Sequence, residues 1–510
     1  MKQHITDFGS PTQSHIIPLI ILIGLTLGAT LVHLDTYPAS WLDEGFTLNA
    51  AVTLVETGQY GTLSYQGVKL FDASISSGSP LVLPIALSVS LLGNGLVQAR
   101  LIVVLCTIVT VVCLYFLSER LYGGQIALWI TTFVLAFPTL SDVGLLLLGR
   151  QILGEVPAFM FGLIAILLWL RDWSSETVVF ALASGLFAGL GFLTKFQVII
   201  PFLPAVIFIA ILRAIQRKGH LLRLLLPVIG AVGVYLAWIV FTQALSPADV
   251  RWENSVISVS GIQIHFFTNL RGSTLSRGMY IILAIPLIGL GDWFRRAYKV
   301  VGTVAPDERD KHWLEATLAV YVGFSVIWVY IFSIGWPRYI FGALMISLLL
   351  VGRTLYGLLF AAVCKWSIPE KVAKRVYIIS LGALLIFGFF TNVLPTLTYD
   401  EPAYDEMMIA YIDQRVDRSA VVETWEWQIT GRGLHRNYHM PHQLVMWKTL
   451  RQRSENQSYA FNYDLLQASP DYLLIGPFAS WVGIYDTPER EANFEMEIQF
   501  GTYALMRRVN

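Results

Sequence analysis

The chain has 510 residues, of which 55% are hydrophobic and 14% are charged, and its 35 Lys and Arg residues balance its 35 Asp and Glu residues. A soluble domain carries about 25% charged residues, so this composition, with a mean hydropathy of +0.60, indicates a multi-pass membrane protein. The sequence contains no basic stripe, which argues against a nucleic-acid partner, and Cys106, Cys113 and Cys364 lie in or beside apolar runs, which argues against a disulfide framework or a zinc site.

The first apolar run extends from Phe8 to Leu34 without a charged residue. It is long for the apolar region of a signal peptide, and no clear small-x-small cleavage site follows it, so we predict an uncleaved first helix. Ten further segments are long and apolar enough to predict membrane spans: residues 100–118, 124–140, 156–171, 177–193, 197–212, 222–243, 278–294, 314–333, 338–359 and 376–396. We therefore expect an α-helical polytopic protein with about 11–13 transmembrane helices.

The loops between these segments differ in charge. Lys and Arg collect in residues 213–223, 295–311 and 365–375, which predicts that these loops are cytoplasmic. The first loop (35–79), with its juxtamembrane helices, then lies outside, as do the loop around Arg150, the loop 244–277 and the segment 336–339. Residues 79–93 are apolar but short and contain two prolines. We expect them to form a juxtamembrane or re-entrant helix, because a further span there would place the basic loops outside.

The composition of the chain changes from apolar to polar after Pro395. Residues 398–510 are polar throughout, and the short apolar runs AVVETW and DYLLIG are typical of strands. The last segment, FEMEIQFGTYALMRRV, alternates between apolar and polar residues as a pair of strands does. We therefore predict a transmembrane domain (residues 1–397) followed by an extracytoplasmic domain of mixed α/β type (residues 398–510).

Charged groups at membrane depth or at its edge are costly, and each one indicates a function by default. The predicted external or buried set contains acids and bases together, which suits a site that handles an anion and a proton. Its members are Asp43, Glu44, Lys69, Asp72, Asp142, Arg150, Glu155, Lys195, Arg251, Glu253, Arg271, Arg277 and Arg338.

Asp43 and Glu44 directly follow the first span, in the stretch WLDEGF. One interpretation is a solvated acidic loop or a helix N-cap formed by Asp43. The other is a partly desolvated carboxylate between Trp41 and Phe46, whose environment makes it a general base. The residues alone leave both interpretations open.

The other candidates have similar alternatives. Arg150 and Glu155 are five residues apart and either pair with each other at a helix start or belong to a binding site. Lys195 lies between two predicted spans and Arg338 opens another, and snorkelling to the interface is the common use of a long cation at such positions. An arginine fork between aromatic residues, as in WPRYIF, also suits a phosphate group.

Three histidines, His435, His439 and His442, follow an i, i+4, i+7 spacing that would place three imidazoles on one face of a helix. Pro441 interrupts such a helix, so we favour a surface loop over a metal site. No glycine-rich nucleotide-binding loop occurs in the chain.

Taken together, these features resemble the GT-C superfamily of integral-membrane glycosyltransferases, in the branch of the protein O-mannosyltransferases and the bacterial aminoarabinose transferase of lipid A. The resemblance covers nearly the whole chain. It depends on the order of seven short motifs: WLDEGFT, GQYG, SGSPLVLP, QARLIVV, GRQILGEVPA, LTKFQ and PRYIF.

This resemblance implies specific roles. In the family the acid of the first loop is the catalytic base, which implies that role for Asp43. Basic residues of the cavity hold the lipid phosphate, and Lys195, Arg338 and Arg150 match them. Glu44, Asp72 and Glu155 would orient sugar hydroxyls or tune the base, and Lys69 belongs to the same expected binding set. Some members carry a divalent metal ion, which is therefore a possible cofactor. The chain departs from the family's double-proline motif: it has Gly78-Ser79-Pro80, with no basic residue or histidine immediately before it.

The predicted function is therefore an inverting transfer of one sugar from a polyprenyl-phosphate donor to a glycan, lipid or protein acceptor at the extracytoplasmic face of a prokaryotic plasma membrane. A low-pKa phosphate leaves without protonation, so cations and a single base suffice. The alternatives are a transporter or flippase of a lipid-linked or anionic solute, and a scaffold module of envelope assembly. A transporter is expected to show repeated halves, which the sequence lacks, and a scaffold needs no acid at position 43.

Overall fold

The structure is a computed structural model that describes residues 16–72, 75, 77–139, 143–174, 178–215, 221–247, 277–300, 309–332, 336–365, 369–441, 445 and 463–509. Of the predicted site residues, Asp142, Arg251, Glu253, Arg271 and His442 lie outside these ranges, as do the side chains of Arg277 and Cys364.

Helices dominate the first 397 residues. They are α1 (Ile16–Leu31), α2 (Leu42–Thr57), α3 (Ser79–Leu92), α4 (Leu96–Tyr122), α5 (Gly124–Ala136), α6 (Leu145–Leu148), α7 (Glu155–Ser174), α8 (Val179–Thr194), α9 (Phe196–Ile199), α10 (Phe202–Ile215), α11 (Leu221–Leu245), α12 (Arg277–Val300), α13 (Arg309–Phe332), α14 (Phe341–Lys365), α15 (Glu370–Gly388) and α16 (Leu394–Leu397). A 3₁₀ turn, Pro337–Ile340, leads into α14, and a π turn, Phe389–Val393, joins α15 to α16.

All eleven segments that the sequence predicts as spans contain helix. Within the described residues, six helical stretches are long and apolar enough to cross a membrane: Leu96–Tyr122, Phe196–Ile215, Leu221–Leu245, Lys311–Ile331, Pro337–Ala361 and Lys371–Leu397. The helical, multi-pass architecture expected from the sequence is therefore confirmed.

The helices enclose an apolar core formed by α4, α5, α7, α10, α13 and α14. Small residues let some helices approach closely: at the crossing of α8 and α11, Gly185 lies against Gly230, and a Cβ on Gly185 would come 2.9 Å from the Gly230 Cα. Such contacts between small residues suit helix packing in lipid, where there is no hydrophobic gain from bringing helices together.

The first loop is folded rather than extended. After α2 the chain forms a hairpin of β1 (Gly61–Ser64) and β2 (Gly67–Leu70), which the sequence does not predict, and then enters α3. Residues 42 to 53 of α2 are all buried, so this helix lies inside the protein. Gly58 ends it with a φ of 72°, a left-handed conformation that glycine adopts without strain.

The C-terminal region forms a five-stranded sheet in the order β4-β3-β5-β7-β6. Its strands are β3 (Val422–Thr424), β4 (Tyr438–His439), β5 (Tyr472–Ile475), β6 (Phe494–Phe500) and β7 (Tyr503–Arg508), and its helices are α17 (Tyr404–Arg415), α18 (Trp427–Thr430), α19 (Pro477–Val482) and α20 (Pro488–Asn493). β3 runs parallel to β4 and β5, whereas β7 pairs antiparallel with β5 and β6. The strands predicted from AVVETW, DYLLIG and the final alternating segment are confirmed.

The two regions share a core. Leu42 and Phe46 of α2 pack with Trp425, Trp427 and Phe478 of the C-terminal region. The helix that carries the acidic pair of the first loop is therefore held between the membrane bundle and the C-terminal sheet.

Candidate active site

Four of the predicted site residues meet at one end of the helix bundle. Asp43 lies in the first turn of α2, Glu155 opens α7, Lys195 directly follows α8, and Arg338 lies in the 3₁₀ turn before α14. These residues are far apart in the sequence, and helix ends bring them together.

The four side chains form a chain of alternating charge. The Arg338 guanidinium forms an ion pair with Asp43, and its Nε lies 3.4 Å from Oε1 of Glu155. The Lys195 Nζ lies 3.8 Å from the same oxygen. Asp43, Lys195 and Glu155 are 8%, 5% and 0% exposed, so all of these charges are largely desolvated, and two acids face two bases.

This geometry decides several alternatives that the sequence left open. Asp43 is neither solvated nor an N-cap, because the helix begins at Leu42 with Trp41 in the cap position. Lys195 and Arg338 do not snorkel to an interface, since both point inward at Glu155. Their buried positions favour a binding role.

Glu44 lies beside Asp43 in sequence but points elsewhere. Its carboxylate accepts bonds from Arg100 at 3.0 and 2.7 Å, from the Ile152 amide at 2.7 Å and from the Trp41 amide at 3.3 Å. With both oxygens engaged, Glu44 is placed to hold the start of α2 in position rather than to contact a sugar.

Arg100 is a residue that the sequence analysis did not assign to the site. It is completely buried, and besides Glu44 it donates to the carbonyls of Leu34 at 2.9 Å and of Pro38 at 2.9 Å. It thus ties the chain between α1 and α2 to α4. The signal in the sequence was an arginine inside the apolar run QARLIVV.

Arg150 does not pair with Glu155, so that interpretation of GRQILGEVP is wrong. Its guanidinium donates to the Val32 carbonyl and to the Thr396 hydroxyl at 3.3 Å, and it lies 5.2 Å from the centroid of the Tyr37 ring. Arg150 therefore connects the ends of α1 and α16 and is not among the four site charges.

Lys69 and Asp72 belong to the hairpin of the first loop. Asp72 accepts a hydrogen bond from the Thr62 hydroxyl at 2.6 Å, and the Lys69 Nζ lies 3.6 Å from its other oxygen. These contacts stabilise the hairpin, and they leave the Lys69 side chain 28% exposed.

Aromatic side chains complete the site. The Arg338 guanidinium lies 4.2 Å from the centroid of the Trp336 ring, a cation–π contact that also fixes the plane of the guanidinium. Tyr339 lies close enough to Lys195, Arg338 and Asp43 to interact electrostatically with each of them. The motif PRYIF contained this tyrosine, but sequence reasoning selected only the arginine.

The chemistry of these groups does not suit a divalent cation. Each carboxylate of the site already faces a cation, and a metal ion would be repelled by Lys195 and Arg338. Among the described residues there is also no group of three or more His, Cys, Asp or Glu that could hold a metal ion.

The described part of the histidine run, residues 435–441, does not form a helix. His439 lies on β4, and its Nδ1 contacts the buried carboxyl of Glu423. Tyr463 and Tyr485 donate to that carboxyl at 2.8 and 3.1 Å, and its burial raises the pKa of Glu423 above the usual range. The His439 imidazole is therefore engaged by Glu423, and the three-histidine metal site is not tested, because His442 lies outside the described residues.

Besides the shared apolar core, a charged contact joins the C-terminal region to the first loop. Arg432 donates to Asp405 and, at 3.0 Å, to the Ser40 hydroxyl, which in turn donates to Asp405 at 2.6 Å. Burial by itself would raise the pKa of Asp405, but the Arg432 charge and these hydrogen bonds outweigh it and hold that pKa below its ordinary value.

Comparison with known proteins places this geometry in a known fold. Residues 80–242 match the family model of dolichyl-phosphate-mannose-protein mannosyltransferases. ArnT from Cupriavidus metallidurans bound to undecaprenyl phosphate superposes with a TM-score of 0.59 at 13% identity, over 96% of this chain and 97% of that one. The apo form of the Archaeoglobus fulgidus oligosaccharyltransferase gives a TM-score of 0.59 at 11% identity, over 92% and 71%.

A complex of the archaeal oligosaccharyltransferase AglB from Archaeoglobus fulgidus with an inhibitory peptide and a dolichol-phosphate gives a TM-score of 0.56 at 11% identity, over 97% of this chain and 74% of that one. Among proteins of curated function, none matches this sequence significantly. At these identities the structural likeness establishes the fold, and the GT-C fold that the sequence predicts by resemblance is confirmed.

Proposed function

We propose that this chain, a multi-pass membrane protein with the GT-C fold, is an inverting glycosyltransferase that moves one sugar from a polyprenyl-phosphate donor to an acceptor hydroxyl at the extracytoplasmic face. The observation that carries this proposal is the buried ion pair of Asp43 with Arg338, next to Lys195 and Glu155. It combines a proton acceptor with two cations at one end of an apolar bundle.

Arg338 and Lys195 are suited to hold the donor phosphate. A guanidinium binds two phosphate oxygens in parallel, and an ammonium adds a point charge. Both groups are buried, and in such surroundings a charge interaction is stronger than in water. Their attraction grows as the bond between the anomeric carbon and the phosphate oxygen breaks, because the leaving phosphate gains negative charge.

Asp43 is suited to be the base once the donor is bound. Without donor, its carboxylate is neutralised by Arg338. A donor phosphate competes for that guanidinium and thereby releases the carboxylate toward the acceptor hydroxyl. Asp43 then accepts the hydroxyl proton as the acceptor oxygen attacks the anomeric carbon.

The charges balance in this scheme. Asp43 loses one negative charge when it takes the proton, and the phosphate gains one when the sugar leaves. The total charge of the site is unchanged, but negative charge moves toward Arg338 and Lys195. Such a shift is favourable where the cations are already in place.

Glu155 is suited to bind the transferred sugar. Its carboxylate is fully buried, and no donor among the described residues makes a hydrogen bond to either oxygen, although two cations lie 3.4 and 3.8 Å away. A buried acceptor without a donor is costly. Sugar hydroxyls would supply donors and would orient the ring for attack.

The stereochemistry follows from the number of available carboxylates. A retaining reaction needs a second carboxylate as nucleophile on the sugar. Glu155 faces Arg338 and Lys195 at 3.4 and 3.8 Å and is assigned to the sugar hydroxyls, so Asp43 is the single base and the reaction is one displacement with inversion. The phosphate leaves without protonation, so no general acid is required.

The comparisons support this reading over a transporter or flippase. The match over residues 80–242 is to mannosyltransferases that use a dolichyl-phosphate donor, and solved relatives carry undecaprenyl phosphate or dolichol-phosphate. The folded C-terminal region, packed against α2, also fits an enzyme with a bulky acceptor. By the positions of Lys and Arg, we place the site on the extracytoplasmic side of a prokaryotic plasma membrane.

The test is to incubate the purified protein with a panel of undecaprenyl-phosphate sugars and to detect release of undecaprenyl phosphate with glycan, lipid and peptide acceptors. We expect release with at least one donor and an inverted anomeric configuration in the product. Vectorial movement of a donor across vesicles without any sugar transfer would favour the flippase instead.

A further inference from the structure

The C-terminal region packs against the side of α2 that faces away from the Asp43 side chain. At 3.6 residues per turn, Gly45 and Asn49 lie about 200° and 240° round α2 from Asp43. Asp43 faces the membrane bundle through Arg338. Gly45 and Asn49 face residues 427–432, which comprise α18 and the turn after it.

The contact at Gly45 has no room for a side chain. A Cβ there would overlap the Trp427 carbonyl group and the Gln428 amide nitrogen. The rings of Phe46 and Trp427 pack one residue further on, with centroids 4.5 Å apart. The backbones of α2 and α18 are thus in direct contact, so any change in the position of one is passed to the other.

Hydrogen bonds close the same interface. The Asn49 side-chain Nδ2 donates to the Thr430 hydroxyl at 3.0 Å, and the Asn49 Oδ1 accepts from the backbone amide of Leu63 in the hairpin at 3.0 Å. A Cβ on Gly431 would come 3.0 Å from the backbone nitrogen of Asn49. The Gly431 carbonyl accepts from the Asn94 side chain, just before α4, at 2.9 Å.

Residues 427–432 therefore contact α2, including Asn49, which also bonds to the hairpin, and they contact Asn94 just before α4. Glu44 and Arg100 anchor α2 to α4 on another face. Asp43 pairs with Arg338 on one side of α2, and residues 427–432 contact the other side, so a shift of α18 against α2 would change the distance from Asp43 to the cations.

We propose that residues 427–432 of the C-terminal region position the base, so that Gly45, Asn49, Thr430 and Gly431 are positioning residues that govern turnover rather than donor affinity. This inference rests on the proposed function of Asp43. In that function Lys195 and Arg338 hold the donor phosphate, whereas residues 427–432 set the position of the base.

The variants Gly45→Ala and Thr430→Val test the proposal. The first forces α2 away from α18, and the second removes the hydroxyl that accepts from Asn49 while keeping the shape of the side chain. A displacement of about 1 Å costs about 100-fold in rate, so we expect Gly45→Ala to lose about that factor in kcat, with the KM for the undecaprenyl-phosphate sugar unchanged. Thr430→Val should lose less.

Two controls accompany them. Thr430→Ser keeps the hydroxyl and should retain the wild-type kcat. Gly28→Ala, in α1, adds a Cβ that meets nothing within 4 Å and should behave as wild type. Hydrogen exchange of the full-length protein in detergent should show faster exchange of residues 42–57 in both test variants and in neither control.

The outcomes separate this inference from the proposed function. If wild-type protein transfers sugar and Gly45→Ala and Thr430→Val keep its kcat, the positioning role is refuted while the function stands. A parallel rise in KM would also refute it, because donor binding would then depend on the interface. If wild-type protein transfers no sugar, the proposed function fails, and hydrogen exchange still tests whether residues 427–432 hold α2 in place. Exchange of residues 42–57 that is the same in the test variants as in wild type would refute that contact role too.

Discussion

Replacing Asp43 with asparagine exchanges one carboxylate oxygen for an NH₂ group and keeps the size of the side chain. The variant cannot accept a proton from the acceptor hydroxyl. It can still accept a hydrogen bond from Arg338, so the fold of α2 and its first turn should persist. The perturbation therefore removes the base and the negative charge that neutralises Arg338, and little else.

A positioned general base contributes about 10²–10⁴-fold to a rate, which corresponds to about 3–5 kcal/mol at about 1.4 kcal/mol per tenfold. We expect kcat to fall by that factor. Binding of undecaprenyl phosphate should be unchanged or tighter, because the Arg338 guanidinium no longer has Asp43 as its partner and turns to the phosphate more easily.

The assay measures sugar transfer and undecaprenyl-phosphate binding on the same detergent-solubilised preparations of wild type and Asp43→Asn. Asp35→Asn is the matched control, since Asp35 is an exposed acid on the same connection between α1 and α2. Full transfer activity in Asp43→Asn would refute the mechanism. A fall in both activity and lipid binding would instead show that the variant disturbs the whole site.

The remaining predictions concern binding, architecture and pH. Arg338→Ala and Lys195→Ala should weaken undecaprenyl-phosphate binding, and unchanged affinity in both would mean that the phosphate is held elsewhere. Glu44→Gln should lower the melting temperature, because it leaves Arg100 buried without its ion pair and costs about 3–5 kcal/mol; a variant of wild-type stability that loses only kcat would contradict this structural role. The pKa of Asp405 is lowered in the folded protein, so its contribution to stability is present above the pKa of the unfolded chain, at about 3.9, and is lost as the pH falls through the folded value. Asp405→Asn should therefore melt at a lower temperature at neutral pH and lose less stability on acidification than wild type, and melting curves that shift equally with pH would refute this.

The positions of the spans and of the C-terminal strands could be read from the sequence because each depends on local chemistry. A run of about 20 apolar residues must form a helix in a membrane, whatever its neighbours are. Strand alternation in residues 494–508 is likewise a local pattern. The hairpin of the first loop was missed, because its strands are only four residues each and carry no long alternation.

The candidate site was only partly predictable. Asp43, Lys195, Arg338 and Glu155 were selected because charges near a membrane are costly, and the structure brings these four together. The same rule also selected Arg150 and Glu44, which the structure uses to hold helix ends and loops. A sequence shows that a buried charge needs a partner, but it does not show whether the partner is another part of the protein or a substrate.

The sequence by itself determined that this chain crosses a membrane many times, carries a polar sheet domain after its last span, and places an acid beside the first span, since these follow from hydropathy and periodicity along the chain. Only the tertiary structure decided which charges face each other, that Arg100 anchors the helix of the first loop, and that residues 427–432 press on α2 behind Asp43. Pairing and backbone contact depend on residues hundreds of positions apart, and the folded arrangement of helix ends is what brings them within reach.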